Sequence, residues 1–453
     1  MAGRGGIMQR LNYRKTFLIG FGFFASSLAW SLYNSFVPVL LKERYLESTA
    51  LIGFIMTIDN IFGVIFQPLV GQISDRTRTR FGKRMPYILI GIPLCAAAFF
   101  FIPRTGSLIT MMAVIILFNL IMSFWRSPVV SLMPDLTPSI HRSKANGIIN
   151  LMGGVGGIIA FLAGGYLSNV GGDNMPFLMG SVVMIFALLM LFFFVKEPDS
   201  RRMARALDAR EQVLAAQPSQ PAKPGRSASL PADSRLASRI AHKLDAEMLA
   251  GLGAAQKRSL LFMLLAIFFW FCGYNAVETF FTLYATEHLQ IAKGDATMML
   301  TLFSLALVVF ALPSGILAGR IGRKRMIVIG LAGMIAIFLP MLFIENMSIL
   351  RVLLLFGGFF WACVNINSLP MVVELASKDR IGSFTGYYYF FSFSAAIVSP
   401  ILFGWIRDLT QNYTTLFIYS VIAFLLALIC ILNVKHGEAD PNAAAPDDMS
   451  VTA

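Results

Sequence analysis

Twelve predominantly apolar stretches, each 18 to 26 residues long, constrain this chain more than any other feature. They run over residues 16–41, 50–73, 86–103, 108–133, 145–167 and 175–195, then 259–284, 296–317, 326–344, 349–373, 384–406 and 415–434. A helix that crosses a bilayer needs roughly 20 apolar residues. In hydrocarbon every backbone N–H and C=O must be satisfied within the protein, which makes segments of this length helices. The expected fold is an all-α membrane protein with twelve transmembrane helices. Composition agrees: 57% of the 453 residues are hydrophobic and 13% charged, about half the charge of a soluble protein. Forty Phe and four Cys exclude collagen-like, disordered and disulfide-scaffold chains. Cys95, Cys272, Cys363 and Cys430 lie singly in apolar runs, so no metal site is expected. No nucleophile–base set or cofactor motif is present, so neither an enzyme nor a cofactor is expected.

The stretches fall into two sets of six. The expected domains are an N-terminal bundle (1–195), a linker (196–258), a C-terminal bundle (259–434) and a tail (435–453). Pro218, Pro221, Pro224 and Pro231 among Ala, Ser and Gln give the linker a flexible composition. Its flanks, 202–214 and 234–249, carry apolar residues at helical spacing and read either as interfacial helices or as plain tether. The first apolar run is too long for a signal-peptide core and reads as the first span.

Counting Lys and Arg by side gives 30 on the face of the N-terminus and 6 on the other, with Arg126 inside a span. Positive loops stay cytoplasmic, so both termini and the linker are expected in the cytoplasm. The net charge of +13 is then a topology signal, and no nucleic-acid partner is expected. The expected location is the plasma (inner) membrane.

The halves repeat each other. Tyr33-Asn34 returns as Tyr274-Asn275, 241 residues on. Gly71, Asp75-Arg76 and Gly82-Lys83-Arg84 return as Gly315, Gly319-Arg320 and Gly322-Arg323-Lys324, shifted by 240 to 244. Asp135-Leu136 with Gly147 returns as Glu374-Leu375 with Gly386, shifted by 239. Six spans plus six, duplicated in parallel, is the plan of many secondary transporters, whose substrate sites lie near the bilayer midplane.

The Gly71-x-x-x-Asp75-Arg76…Gly82-Lys83-Arg84 loop, with its copy after span eight, resembles the signature of the major facilitator superfamily. Its long Asp75-to-Pro86 form, preceded by Gln67-Pro68, resembles the glycoside/cation symporter branch, which includes the sucrose–proton symporters. On this resemblance the loop gates the cytoplasmic side, with Gly71, Asp75, Arg76, Gly82, Lys83, Arg84, Arg320 and Arg323 taking part. Asp135 with Arg142, and Glu374 with Arg380, are the expected gate pairs at the ends of spans four and ten. The bland alternatives are positive-inside anchoring and helix capping.

Three ionisable residues lie deep in the spans: Asp59, Arg126 and Glu278. Such groups usually face a cavity or a partner and mark a substrate or ion path. Two carboxylates around one Arg leave a site that favours taking up a proton, which makes Asp59, then Glu278, the proton-coupling candidates. A purely structural Arg–carboxylate pair is the alternative. The symporter resemblance implies a substrate role for Arg126, although the companion Asp five residues on is Ser131 here. Where sodium-using melibiose carriers have aspartates, this chain has Gly63, Gln67 and Arg126, which implies a proton and no sodium site.

Sugars need flat aromatic faces and paired polar groups. The substrate candidates are Trp30, Tyr33, Asn34, Trp125, Arg126, Tyr274, Asn275, Trp361, Asn365 and Asn367, on spans that line the cavity in the superfamily. Packing is the competing role for each aromatic. The glycines from Gly153 to Gly165 read as a close-packing face of span five. The expected function is proton-coupled sugar symport (sucrose, maltose or glucose-like) by a monomer using alternating access. The alternatives are a proton antiporter exporting a small organic solute and a non-transporting sensor or lipid-handling protein on the same scaffold.

Overall fold

The computed structural model describes residues 11–138, 141–201, 253–375 and 381–436. Among them are twelve helices long and apolar enough to cross a membrane. In the first half these are α1 (Tyr13–Arg44), α2 (Thr49–Arg76), α3 (Met85–Arg104), α4 (Leu108–Leu136), α5 (Lys144–Gly171) and α6 (Asn174–Phe194). The second half supplies α7 (Ala254–Glu287), α8 (Lys293–Ile321), α9 (Arg323–Leu342), α10 (Met347–Val373), α11 (Ser383–Thr410) and α12 (Thr415–Leu432). No strand occurs among the described residues. The expected all-α fold is therefore observed. The helices overrun the apolar stretches by polar turns, which carry their caps. Asn12 accepts from the Lys15 N–H at 3.0 Å, Ser107 and Thr110 form a reciprocal capping box on α4, and Asn346 caps α10.

The α-helical run of α2 is interrupted at Thr57, between Thr49–Met56 and Ile58–Arg76. The Thr57 hydroxyl donates to the Phe54 carbonyl at 2.8 Å, and Asp59 falls in the first turn of the lower piece.

The contacts divide the chain into two units. One holds the described residues up to 201 together with Phe281–Thr301, and the other holds the remainder of the second half. In the first unit α1 packs on α5 and α6, α3 on α4 and α6, and α2 on α4. In the second, α9 packs on α10 and α12, repeating the pairing of α3 with α4 and α6. Ser399 and Ser420 bind α11 and α12 to the Cys272 and Gly273 carbonyls of α7, at 2.6 and 3.1 Å. Large apolar side chains such as Phe193, Val182, Ile422 and Ile429 are more than half exposed, as lipid-facing surfaces of a multi-pass membrane protein must be. The four cysteines are free and buried.

Candidate functional site

At the basic loop the sequence folds into a charge cluster around Arg84. Gly82 adopts φ +99°, a backbone region that L side chains rarely enter, and this turn aims Arg84 back under α2. The Arg84 guanidinium binds Asp75, the Ser74 hydroxyl, the Gly71 carbonyl at 3.2 Å and Asp135 at 2.9 Å. Lys83 adds a second cation 3.2 Å from Asp135. Gly71, Asp75, Gly82, Lys83, Arg84 and Asp135 thus converge. Arg76 is exposed outside this cluster. Arg142 does not supply the expected partner of Asp135: its guanidinium reaches the Pro134 and Thr137 carbonyls at the end of α4. A helix C-terminus presents carbonyls and negative partial charge, which attracts that cation.

The second unit carries the copy. Gly322 has φ +100°, and Arg323 meets Glu374 at 3.0 Å, the same offset of 239 from Arg84 and Asp135. Arg320 is exposed, and Arg380 lies outside the described residues.

Sequence reasoning missed Glu197, just beyond α6. Its carboxylate accepts from the backbone N–H groups of Lys83, Arg84 and Met85 at 2.8, 2.9 and 3.1 Å, so it caps α3 from across the unit. Ser200 adds bonds to the Thr79 N–H and carbonyl. In the second unit the device is inverted: Lys324 donates to the Leu432 and Val434 carbonyls at the end of α12. The residues 196–201, expected as linker, are part of the cluster's wall. The linker's two amphipathic flanks lie outside the described residues.

Deep in the first unit, Tyr33 of α1 stacks on Phe118 of α4 (5.5 Å between centroids) and meets Trp30 edge-on at 5.7 Å. Arg126 lies over the Trp30 ring at 5.9 Å. The Tyr33 hydroxyl accepts from the Asn119 amide at 3.2 Å. Asn119 Oδ1 and Trp30 Nε1 are buried without a hydrogen-bond partner among the described residues. Asn119 was also missed, although it stands seven residues before Arg126, two turns up the same face of α4. Asp59 accepts from the Asn60 backbone and side-chain amides at 2.6 and 2.8 Å. Trp125 is not brought to this cluster. It is fully buried against α3, where a side chain at Gly91 would collide with its Cβ.

In the second unit Tyr274 of α7 stacks face to face on Trp361 of α10, 4.3 Å apart and within 1° of parallel. Glu278 stands one turn on, within electrostatic reach of the Tyr274 hydroxyl. Asn275 and Asn367 spend an amide N–H on their own helices, at Phe271 and Cys363. Asn34 and Asn365 are half-buried. Each repeat therefore places its Tyr-Asn tyrosine against an aromatic of its fourth helix.

At the opposite end of the first unit lies another cluster the sequence did not reveal. Lys293 pairs with Glu43 and Asp173, both at 2.7 Å, and Arg44 with Asp173 at 2.9 Å. Asn169 donates to Asp295 at 2.8 Å. Burial opposes ionisation of Asp173, but hydrogen bonds and charge from Lys293 and Arg44 outweigh it and hold its carboxyl below the usual range.

The family model described as Major Facilitator Superfamily matches residues 19–290 and 263–451. Multidrug resistance protein 2 of Bacillus subtilis is 23% identical over 448 residues, 95% of this chain and 98% of that protein. Sucrose transport protein SUC3 of Arabidopsis thaliana is 25% identical over 205 residues, 37% of this chain and 34% of that protein. The crystal structure of the nucleoside transporter NupG matches with a TM-score of 0.68 at 14% identity, over 94% of this chain and 100% of that one. At that identity the likeness concerns the fold alone.

Proposed function

The chain belongs to the major facilitator superfamily, and from that premise we propose that this membrane transporter carries a sugar in symport with protons. The observation that carries the reading is the stacked aromatic pair beside a deep carboxylate or guanidinium in each repeat. Tyr274–Trp361 with Glu278 forms one set, and Tyr33–Phe118 with Trp30 and Arg126 the other. Flat aromatic faces suit the C–H surface of a pyranose. The unmatched Trp30 N–H and Asn119 oxygen suit a hydroxyl, which donates and accepts.

Asp59 is the first choice for the coupling carboxylate and Glu278 the second. The charge clusters around Arg84 and Arg323 act as gates on the basic side, which the distribution of Lys and Arg assigns to the cytoplasm together with both termini. Alternating access by a monomer in the plasma membrane, through bundles 1–195 and 259–434, completes the proposal. The partial likeness to a plant sucrose transport protein supports the sugar. The full-length likeness to a multidrug resistance protein favours a second reading, proton-driven export of a small organic solute.

Proteoliposomes with an inward proton gradient test the two. Accumulation of labelled sucrose, maltose or glucose, abolished by an uncoupler, is expected. No gradient-driven uptake of any sugar, with export of an organic cation instead, would overturn the first reading in favour of the second. Asp59→Asn should keep exchange of the sugar and lose accumulation.

A further inference from the structure

The break in α2 falls where a deep carboxylate stands, and two side chains account for it. In an unbroken helix the Ile58 N–H would donate to the Phe54 carbonyl and the Asn60 N–H to the Met56 carbonyl. The Phe54 carbonyl is engaged by Thr57, whose hydroxyl and N–H donate to it at 2.8 and 3.1 Å. The Asn60 N–H is engaged by Asp59, whose Oδ1 accepts it at 2.6 Å and the Asn60 side-chain amide at 2.8 Å. Both places lie where Thr49–Met56 gives way to Ile58–Arg76, and a side chain that enters the ladder is a common cause of a kink.

The two side chains differ in kind. Thr57 is neutral and fully buried, so its bonds to Phe54 are the same in every charge state. The hold of Asp59 on the Asn60 N–H depends on charge. An ionised carboxylate accepts about twice as strongly as a neutral group. Asp59 also lies in the first turn of the second piece, where the helix dipole favours a negative charge. A neutral side chain at 59 has neither advantage, and the Met56 carbonyl then competes for the Asn60 N–H.

We propose that the charge on Asp59 holds α2 broken at Thr57, and that neutralising it returns the Asn60 N–H to the ladder and makes the span continuous. The role of this device in transport rests on the reading of Asp59 as the carboxylate that takes up the proton. The first piece packs on α1 and the second on α4, so a change at Thr57 is passed to both neighbours. On α1, Tyr33 is within electrostatic reach of Asp59, and the other ionisable groups stand at the two ends of the helix. On α4 they are Arg126 within the span and Asp135 at its end. All of them are retained in Asp59→Asn, so that variant isolates the charge at position 59.

Amide hydrogen exchange of the full chain in detergent, read by mass spectrometry without solute or gradient, tests the device. Peptides covering residues 54–61 should exchange several-fold more slowly in Asp59→Asn than in the unaltered protein, because a continuous ladder protects amides that a break exposes to opening. Peptides from α9 should be unchanged. Equal or faster exchange over 54–61 in Asp59→Asn would overturn the proposal, and so would slowing shared equally by α9. Slowing in Thr57→Val with none in Asp59→Asn would assign the break to the hydroxyl alone and overturn it too. The transport reading fails separately: slowed amides in an Asp59→Asn protein that still accumulates solute would leave the charge-held break standing and remove Asp59 as the coupling site.

Discussion

Arg84 has a side chain only 5% exposed and still carries a full charge, which is tolerable because Asp75, Asp135, Ser74 and Gly71 surround it. Removing it leaves Asp75 and Asp135 with Lys83 as their remaining cation, a cost at the lower end of the about 3–5 kcal/mol of a broken buried pair. Arg84→Ala should therefore lower stability by about 3 kcal/mol, read as a thermal-melt shift in detergent, while exposed Arg320→Ala should stay within about 0.5 kcal/mol. The copy is weaker for a stated reason. Gly319 stands where the first repeat has Asp75, and the Arg323–Glu374 pair is 28% and 41% exposed. Glu374→Gln should cost under about 1 kcal/mol in the same melt, and a loss as large as that of Arg84→Ala would contradict the asymmetry.

Elements show where the sequence was legible and where it was not. Twelve spans were readable because span length is set by bilayer thickness, and the repeat because paired markers such as Tyr33-Asn34 and Tyr274-Asn275 keep one offset. The Arg84–Asp135 pairing was half-legible: both residues were singled out, but Asp135 was given to Arg142, its neighbour in sequence. Trp125 and Arg126 are adjacent and so about 100° apart on α4, which is why only one of them reaches Trp30. Glu197 was invisible because a carboxylate that caps a helix 112 to 114 residues away leaves no local pattern. That cap predicts its own experiment. Glu197→Gln keeps an acceptor but loses the charge at the N-terminus of α3, and should cost about 1 kcal/mol. Glu197→Ala should cost about 2 kcal/mol. Equal stability of the two variants would show that the N–H bonds contribute nothing.

At the scale of the whole molecule, α7 and α8 are each shared between the two units, with their joined tip, Phe281–Thr301, grouped with the first. The tip is held by Lys293 between Glu43 and Asp173, and Gly294 approaches Gly165 so closely that a Cβ on either would strike the other's carbonyl oxygen. Any rearrangement that frees the tip must break these pairs. Lys293→Gln should then raise maleimide labelling of an Asn169→Cys probe several-fold in detergent, against a low background because the native cysteines are buried. The pH dependence follows from Asp173, whose folded carboxyl is held below its ordinary range. A depressed carboxylate contributes stability above its unfolded value of about 3.9, and that contribution is lost as pH falls through the lower folded value. The difference in thermal midpoint between the unaltered protein and Asp173→Asn should therefore stay constant above about pH 5 and close only below about pH 4. A gap that closed between about pH 5 and 7 would mean that Asp173 titrates in the working range. If the gap holds, this cluster does not titrate at ordinary pH, and the proposed proton coupling falls to the carboxylates in the spans, Asp59 and Glu278.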